Sequence, residues 1–153
     1  MLMLAAWLVL SGVGVMLAAI DVLVRRLPTP LIARTAVVVL TLLSTAACVT
    51  DDPRLVLDAL IAGAAVASGY GLLSLTSRGG IGMGDVRLAG LLGLGLGTIG
   101  WPAVLLGAML PYVLAVPQAL LHLSERHSRG PGRLAFGPYL VGGALLTRFL
   151  LAP

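Results

Sequence analysis

The sequence predicts an all-α integral membrane protein: a bundle of six transmembrane helices with its N-terminus outside. Three observations carry this. Of the 153 residues, 59 % are hydrophobic and only 10 % charged, against about 25 % charged in soluble domains. The apolar residues gather into six blocks, most of them near the ~20 residues that a spanning helix needs. The ten basic residues, all Arg, are scattered between those blocks. That spread excludes a basic nucleic-acid surface, so lipid and not nucleic acid is the expected surrounding. The length suits one bundle, read as a single domain over 1–153, with no sizeable soluble domain beside it.

The six segments run roughly 2–20, 31–50, 55–75, 86–100, 102–121 and 136–152. The first is apolar from Leu2 to Ile20. It lacks a basic stretch ahead of it and a small-x-small site behind it, so it reads as a retained helix and not a cleaved signal. Arg25 and Arg26 follow it. The second and third are separated by Asp51 to Arg54, and the third and fourth by Thr76 to Asp85. The fourth is short: as a helix it covers only about 22 Å. Gly93 and Gly97 within it form a small-xxx-small pair suited to close helix packing in lipid. The fifth contains Pro111 and Pro117, which should bend it and leave carbonyls for neighbouring helices to satisfy. Ser124 to Ala135 separates it from the sixth.

Orientation follows from arginine. With the N-terminus outside, the cytoplasmic edges hold Arg25, Arg26, Arg34, Arg78, Arg87, Arg126, Arg129 and Arg133. The opposite edges hold Arg54 and Arg148. This is a positive-inside distribution.

Few residues have chemistry to offer. Cys48 is the only cysteine, which excludes an intrachain disulfide and a multi-cysteine metal site; it reads as a small buried hydrophobe. His122 and His127 lack companions at metal-ligand spacing, so no metal is expected. Asp51, Asp52, Asp58 and Glu125 read as solvated edge charges.

Asp21 and Asp85 differ. Asp21 ends the first segment and Asp85 opens the fourth, at the same membrane face. Either alone is explained as a helix-end residue, and Asp85 is placed to be an N-cap. Together, two carboxylates in so small a bundle can converge, and like charges at close range share one proton across neutral pH. One then takes a proton from water while the other protonates a carbonyl oxygen or a leaving amine, which is aspartic-protease chemistry. The helix dipole would favour Asp85 as the ionised member. The run Gly79-Gly80-Ile81-Gly82-Met83-Gly84 is too glycine-rich for a stable helix and would give a substrate strand an unobstructed backbone to lie against.

The segment Gly80-Ile81-Gly82-Met83-Gly84-Asp85-Val86-Arg87-Leu88 resembles the Gly-x-Gly-Asp signature of type IV prepilin peptidases, usually followed by Val-Lys-Leu. Ile20-Asp21 through Leu27-Pro28 is similar to that family's first catalytic aspartate and the hydrophobic-Pro-Asn turn after it. Phe136-Gly137-Pro138-Tyr139 resembles the Phe-Gly-Pro-Phe run that opens the last helix. The three motifs stand in family order. The resemblance implies catalytic roles for Asp21 and Asp85, and motif or substrate-positioning roles for Gly82, Gly84, Pro28, Phe136, Gly137 and Pro138. It implies an endopeptidase of the bacterial cytoplasmic (inner) membrane that removes leaders from pilin, pseudopilin or Flp-type substrates at the cytoplasmic face. It requires no cofactor, and its partners are the prepilin-like substrate and the machinery assembling a pilus or secretion system.

Two positions depart from the pattern: Thr29 stands where Asn is usual, and Arg87 where Lys is common. The dyad chemistry requires neither side chain. The chain resembles the short, peptidase-only forms, so N-methyltransferase activity is not expected. Presenilin-like proteases share Gly-x-Gly-Asp but pair it with Tyr-Asp and a later Pro-Ala-Leu; here Ile20 precedes Asp21 and the end reads Leu-Ala-Pro. A transporter would place its carboxylates at the bilayer midplane, not at an edge.

Overall fold

A computed structural model describes residues 1–24, 27–76, 82–124 and 136–151, with the side chains of 119–124 excepted. Arg25, Arg26, Arg78, Arg126, Arg129 and Arg133 lie outside the described residues, as do Gly79 to Ile81, Glu125 and His127. Among the described residues there are six helices and no strand: α1 Leu2–Val24, α2 Thr29–Thr50, α3 Arg54–Thr76, α4 Met83–Gly97, α5 Trp101–Ser124 and α6 Gly137–Leu151.

Four helices, α1, α2, α3 and α5, are long and apolar enough to cross a membrane. The outward faces carry unpaired large hydrophobics such as Leu8, Val22, Leu72, Leu105 and Phe149, as a lipid-facing surface requires and a water-facing one does not tolerate. This is a multi-pass membrane protein. Helices α4 and α6, at 15 residues each, reach only about 22 Å. For α4 the shortness has a reason: it touches every other helix, and all of residues 91–97 are buried. A helix surrounded by protein need not match the thickness of the lipid around it.

Glycine makes that central position possible. A Cβ on Gly93 would stand 3.0 Å from the Gly63 Cα, and one on Gly97 would stand 2.8 Å from the Ala59 Cα and the Asp58 carbonyl oxygen. The expected Gly93/Gly97 pair is therefore the face on which α3 lies, backbone against backbone. Between α4 and α5 the chain reverses in three residues, with Gly100 at φ 127°, a conformation open to glycine and strained for other residues. Helix α5 continues through Pro111 and Pro117. Tyr70 of α3 donates to the Ala108 carbonyl at 2.9 Å, an interhelical bond made within the Pro111 turn. Buried hydroxyls on single helices satisfy themselves, Thr147 on Gly143 O and Thr35 on Leu31 O, both at 2.8 Å.

Three expectations change. Cys48 is exposed, not buried: the inward stripe of α2 runs through Thr35, Val39, Leu43 and Ala46–Ala47, and Cys48 falls beside it. Helix α1 continues past Asp21 to Val24, so the aspartate lies inside the last turns and not at the end. Helix α4 begins at Met83 and not at 86, which takes Met83 and Gly84 out of the irregular glycine run.

Candidate active site

The site is assembled where the end of α1 meets the beginnings of α4 and α6. Asp21 and Asp85 are 6 % and 8 % exposed, and aspartates this deeply buried need partners. Both find them at helix N-termini, where the first backbone N–H groups have no partner within the helix.

For Asp85 the terminus is its own. Gly82 is the N-cap, with extended backbone at φ −74° and ψ 149°, and its carbonyl accepts from the Asp85 and Val86 amides at 3.0 and 3.3 Å. Asp85 is thus the third residue of the helix and not its N-cap. Its Oδ2 reaches back to accept from the Gly82 N–H at 3.2 Å. That bond is half of a capping box, the other half being unavailable because glycine has no side chain to return it. A Cβ on Gly82 would lie 3.3 Å from the same Oδ2.

For Asp21 the terminus belongs to another helix. The Phe136 carbonyl accepts from Tyr139 and Leu140 at 3.1 and 3.2 Å, making Phe136 the cap of α6. Pro138 follows in the first turn, where a missing N–H costs nothing. Gly137, between them, donates its free amide to Asp21 Oδ2 at 2.9 Å across 116 positions of sequence. A Cβ at 137 would stand 2.7 Å from that oxygen. Glycine is required here for space, not for backbone angle.

The two carboxylates interact electrostatically. Both face a helix N-terminus, so the dipole argument that singled out Asp85 as the charged member applies equally to Asp21.

The remaining motif residues fall around this centre. Pro28 caps α2, its carbonyl accepting from Leu31 and Ile32 at 3.1 and 3.3 Å. Gly84 faces Leu27, whose Cβ would lie 2.9 Å from an added Cβ. Leu27 therefore covers this stretch of backbone, and Gly84 offers no open surface for a substrate strand. Phe136 packs against Tyr112 and Tyr139 at ring separations of 5.4 and 6.2 Å. Tyr112 stacks on Tyr70 at 5.5 Å, and Tyr70 lies close enough to Asp85 to interact with it. Tyr70, Tyr112 and Phe136 thus form one aromatic cluster beside the α6 terminus that holds Asp21. The sequence offered only isolated tyrosines here; nothing in their spacing, 42 positions apart by subtraction of residue numbers, points to contact. The Tyr112 hydroxyl is buried and makes no hydrogen bond of good geometry among the described residues.

Thr29 and Arg87, the two departures from the prepilin peptidase pattern, touch each other. Arg87 Nη1 donates to Thr29 Oγ1 at 2.7 Å.

Residues 4–117 match the model of the Type IV leader peptidase family. No curated protein and no solved structure matches the chain. The family match contains both aspartates and the glycines before Asp85, and ends ahead of the Phe136-Gly137-Pro138 cap. It covers well over half of the 153 residues. The chain therefore belongs to the type IV leader peptidase family, a family of membrane proteases.

Proposed function

We propose that this protease is an aspartic endopeptidase that removes the leader of a prepilin-like substrate (pilin, pseudopilin or Flp-type) at the cytoplasmic face of a bacterial inner membrane. Asp21 and Asp85 act as its catalytic dyad. The observation that carries the reading is that two buried carboxylates, one on α1 and one on α4, interact electrostatically and are each held by one backbone N–H. A carboxylate has about four acceptor positions, so one such bond leaves capacity for water, for a shared proton and for substrate.

The chemistry runs as in other carboxylate pairs. The ionised member removes a proton from a water molecule as the water oxygen attacks the scissile carbonyl carbon. The protonated member gives its proton to the carbonyl oxygen. In the resulting gem-diol the newly protonated carboxyl gives its proton to the departing amine while the other carboxylate takes one from a diol hydroxyl, so the C–N bond breaks, the C=O reforms as the product acid and the pair is again singly protonated. No cofactor or metal takes part, and methyl transfer is no part of the reaction. All six helices cross the bilayer as one peptidase domain, with the N-terminus outside on the arginine distribution. The dyad then opens toward the cytoplasm, where a leader lies.

Co-expression with a prepilin tests this by gel shift. Wild type is expected to shorten the substrate by its leader, and Asp21→Ala and Asp85→Ala each to leave it uncut. Full processing by both variants would contradict the dyad.

A further inference from the structure

We infer that Thr29 and Arg87 are positioning residues: their hydrogen bond latches the start of α2 to the first turns of α4 and so sets the placement of Asp21 against Asp85. The inference rests on the dyad reading above.

The connection is short on both sides. Asp85 and Arg87 lie two residues apart on α4, and Asp21 precedes Thr29 by eight positions in the chain, with Leu27 and Pro28 immediately before Thr29. Thr29 is the first residue of α2, fixed by the Pro28 cap. Its Oγ1 accepts from Arg87 Nη1 at 2.7 Å. Beside this bond Leu27 lies on Gly84 so closely that a Cβ there would stand 2.9 Å from the Leu27 Cβ. One polar and one apolar contact therefore hold the α1–α2 corner on the turn of α4 that carries Asp85.

Arg87 does not act on Asp85 by charge. Residues two apart on a helix point about 160° away from each other, so the Arg87 side chain leaves the helix on the side away from the Asp85 carboxylate. Arg87 instead heads the seam between α2 and α4. The seam opens there into a cleft of about 460 Å³ lined by Thr29 and Arg87 themselves, Ile32 and Ala36 of α2, Gly63 of α3 and Leu91 of α4. The hydrogen bond itself lies exposed at the head of this cleft. An ångström of misplacement at a reacting centre can cost as much as 100-fold in rate.

The experiment is a two-residue cycle on the full-length protein in membranes, with kcat and KM for leader removal measured separately. Thr29→Val keeps the shape and deletes the acceptor; Arg87→Met keeps the stem and deletes the donor. Each is expected to lower kcat about 10-fold with KM within a factor of two. The double variant should be no slower than the slower single one, since both remove the same bond. Thr29→Ser, which restores the hydroxyl, should return kcat to within a factor of two of wild type. Singles as fast as wild type, losses that multiply in the double variant, or a change confined to KM would each overturn the latch, the last because it would place Arg87 against substrate. A wild-type protein that leaves every prepilin uncut would instead overturn the function on which the latch depends.

Discussion

A Gly137→Ala variant is expected to cleave a prepilin leader about 100-fold more slowly than wild type. The new methyl carbon would stand 2.7 Å from Asp21 Oδ2 and 3.1 Å from both the Cβ and Cγ of the same residue. Those are not contacts that a flexible side-chain end can absorb, because Asp21 is buried and held by its one bond to the α6 terminus. Either α6 retreats or the carboxylate turns, and both break the 2.9 Å bond from the Gly137 amide. An aspartate left buried without that donor loses much of what compensates its desolvation. Gly142→Ala on the same helix is the control. A Cβ there meets only Leu114 Cδ1, at 4.0 Å, and activity should stay within a factor of two. Initial rates of leader removal for the two variants check this; a fully active Gly137→Ala would mean that Asp21 tolerates displacement.

Asp85→Asn and Asp21→Asn are each expected to lower the rate by at least 1000-fold, within the span usual for removing a general acid or base, while leaving the fold intact. Asparagine keeps a carbonyl oxygen that can accept from the Gly82 or Gly137 amide, so the caps of α4 and α6 survive. What disappears is the ability to exchange a proton. The same substitution relieves the repulsion between two buried, interacting carboxyl groups, and burying a neutral amide costs no more than burying a member of a pair that carries one charge. Both variants should therefore unfold at a temperature no lower than that of wild type, the pattern of a site whose function is opposed to stability. Thermal unfolding of the purified proteins in detergent gives this comparison. A marked fall for either variant would assign that aspartate a structural role instead.

Much of this was legible from residue order. Six apolar blocks became six helices because each backbone must satisfy itself away from water, and the blocks were separated by arginines, prolines and paired aspartates. The close packing at Gly93 and Gly97 was legible from their spacing alone. Helix starts were less so. The glycines before Asp85 argued against helix by propensity, yet α4 begins at Met83, because the Asp85 carboxylate caps it and Leu27 packs on Gly84. The choice of Asp85 as the charged partner rested on one helix terminus; the second terminus, which α6 turns toward Asp21, is visible only in three dimensions. Cys48 misled because an apolar neighbourhood in sequence does not say which side of a lipid-embedded helix faces protein. The Thr29–Arg87 bond, spanning 58 positions, left no trace in local pattern beyond the fact that both residues depart from the family's usual ones.

The central claim is that Asp21 and Asp85 work as a pair holding one proton. The pH dependence of kcat/KM for leader removal tests it most directly. With both groups protonated there is no base to activate water, and with both ionised there is no acid to protonate the carbonyl oxygen. A bell-shaped profile is therefore expected, with activity falling on the acid side as the second proton is gained and on the alkaline side as the last is lost. A profile that rises from acid pH to a plateau and shows no alkaline limb before the protein unfolds would contradict it, because one ionised carboxylate would then suffice.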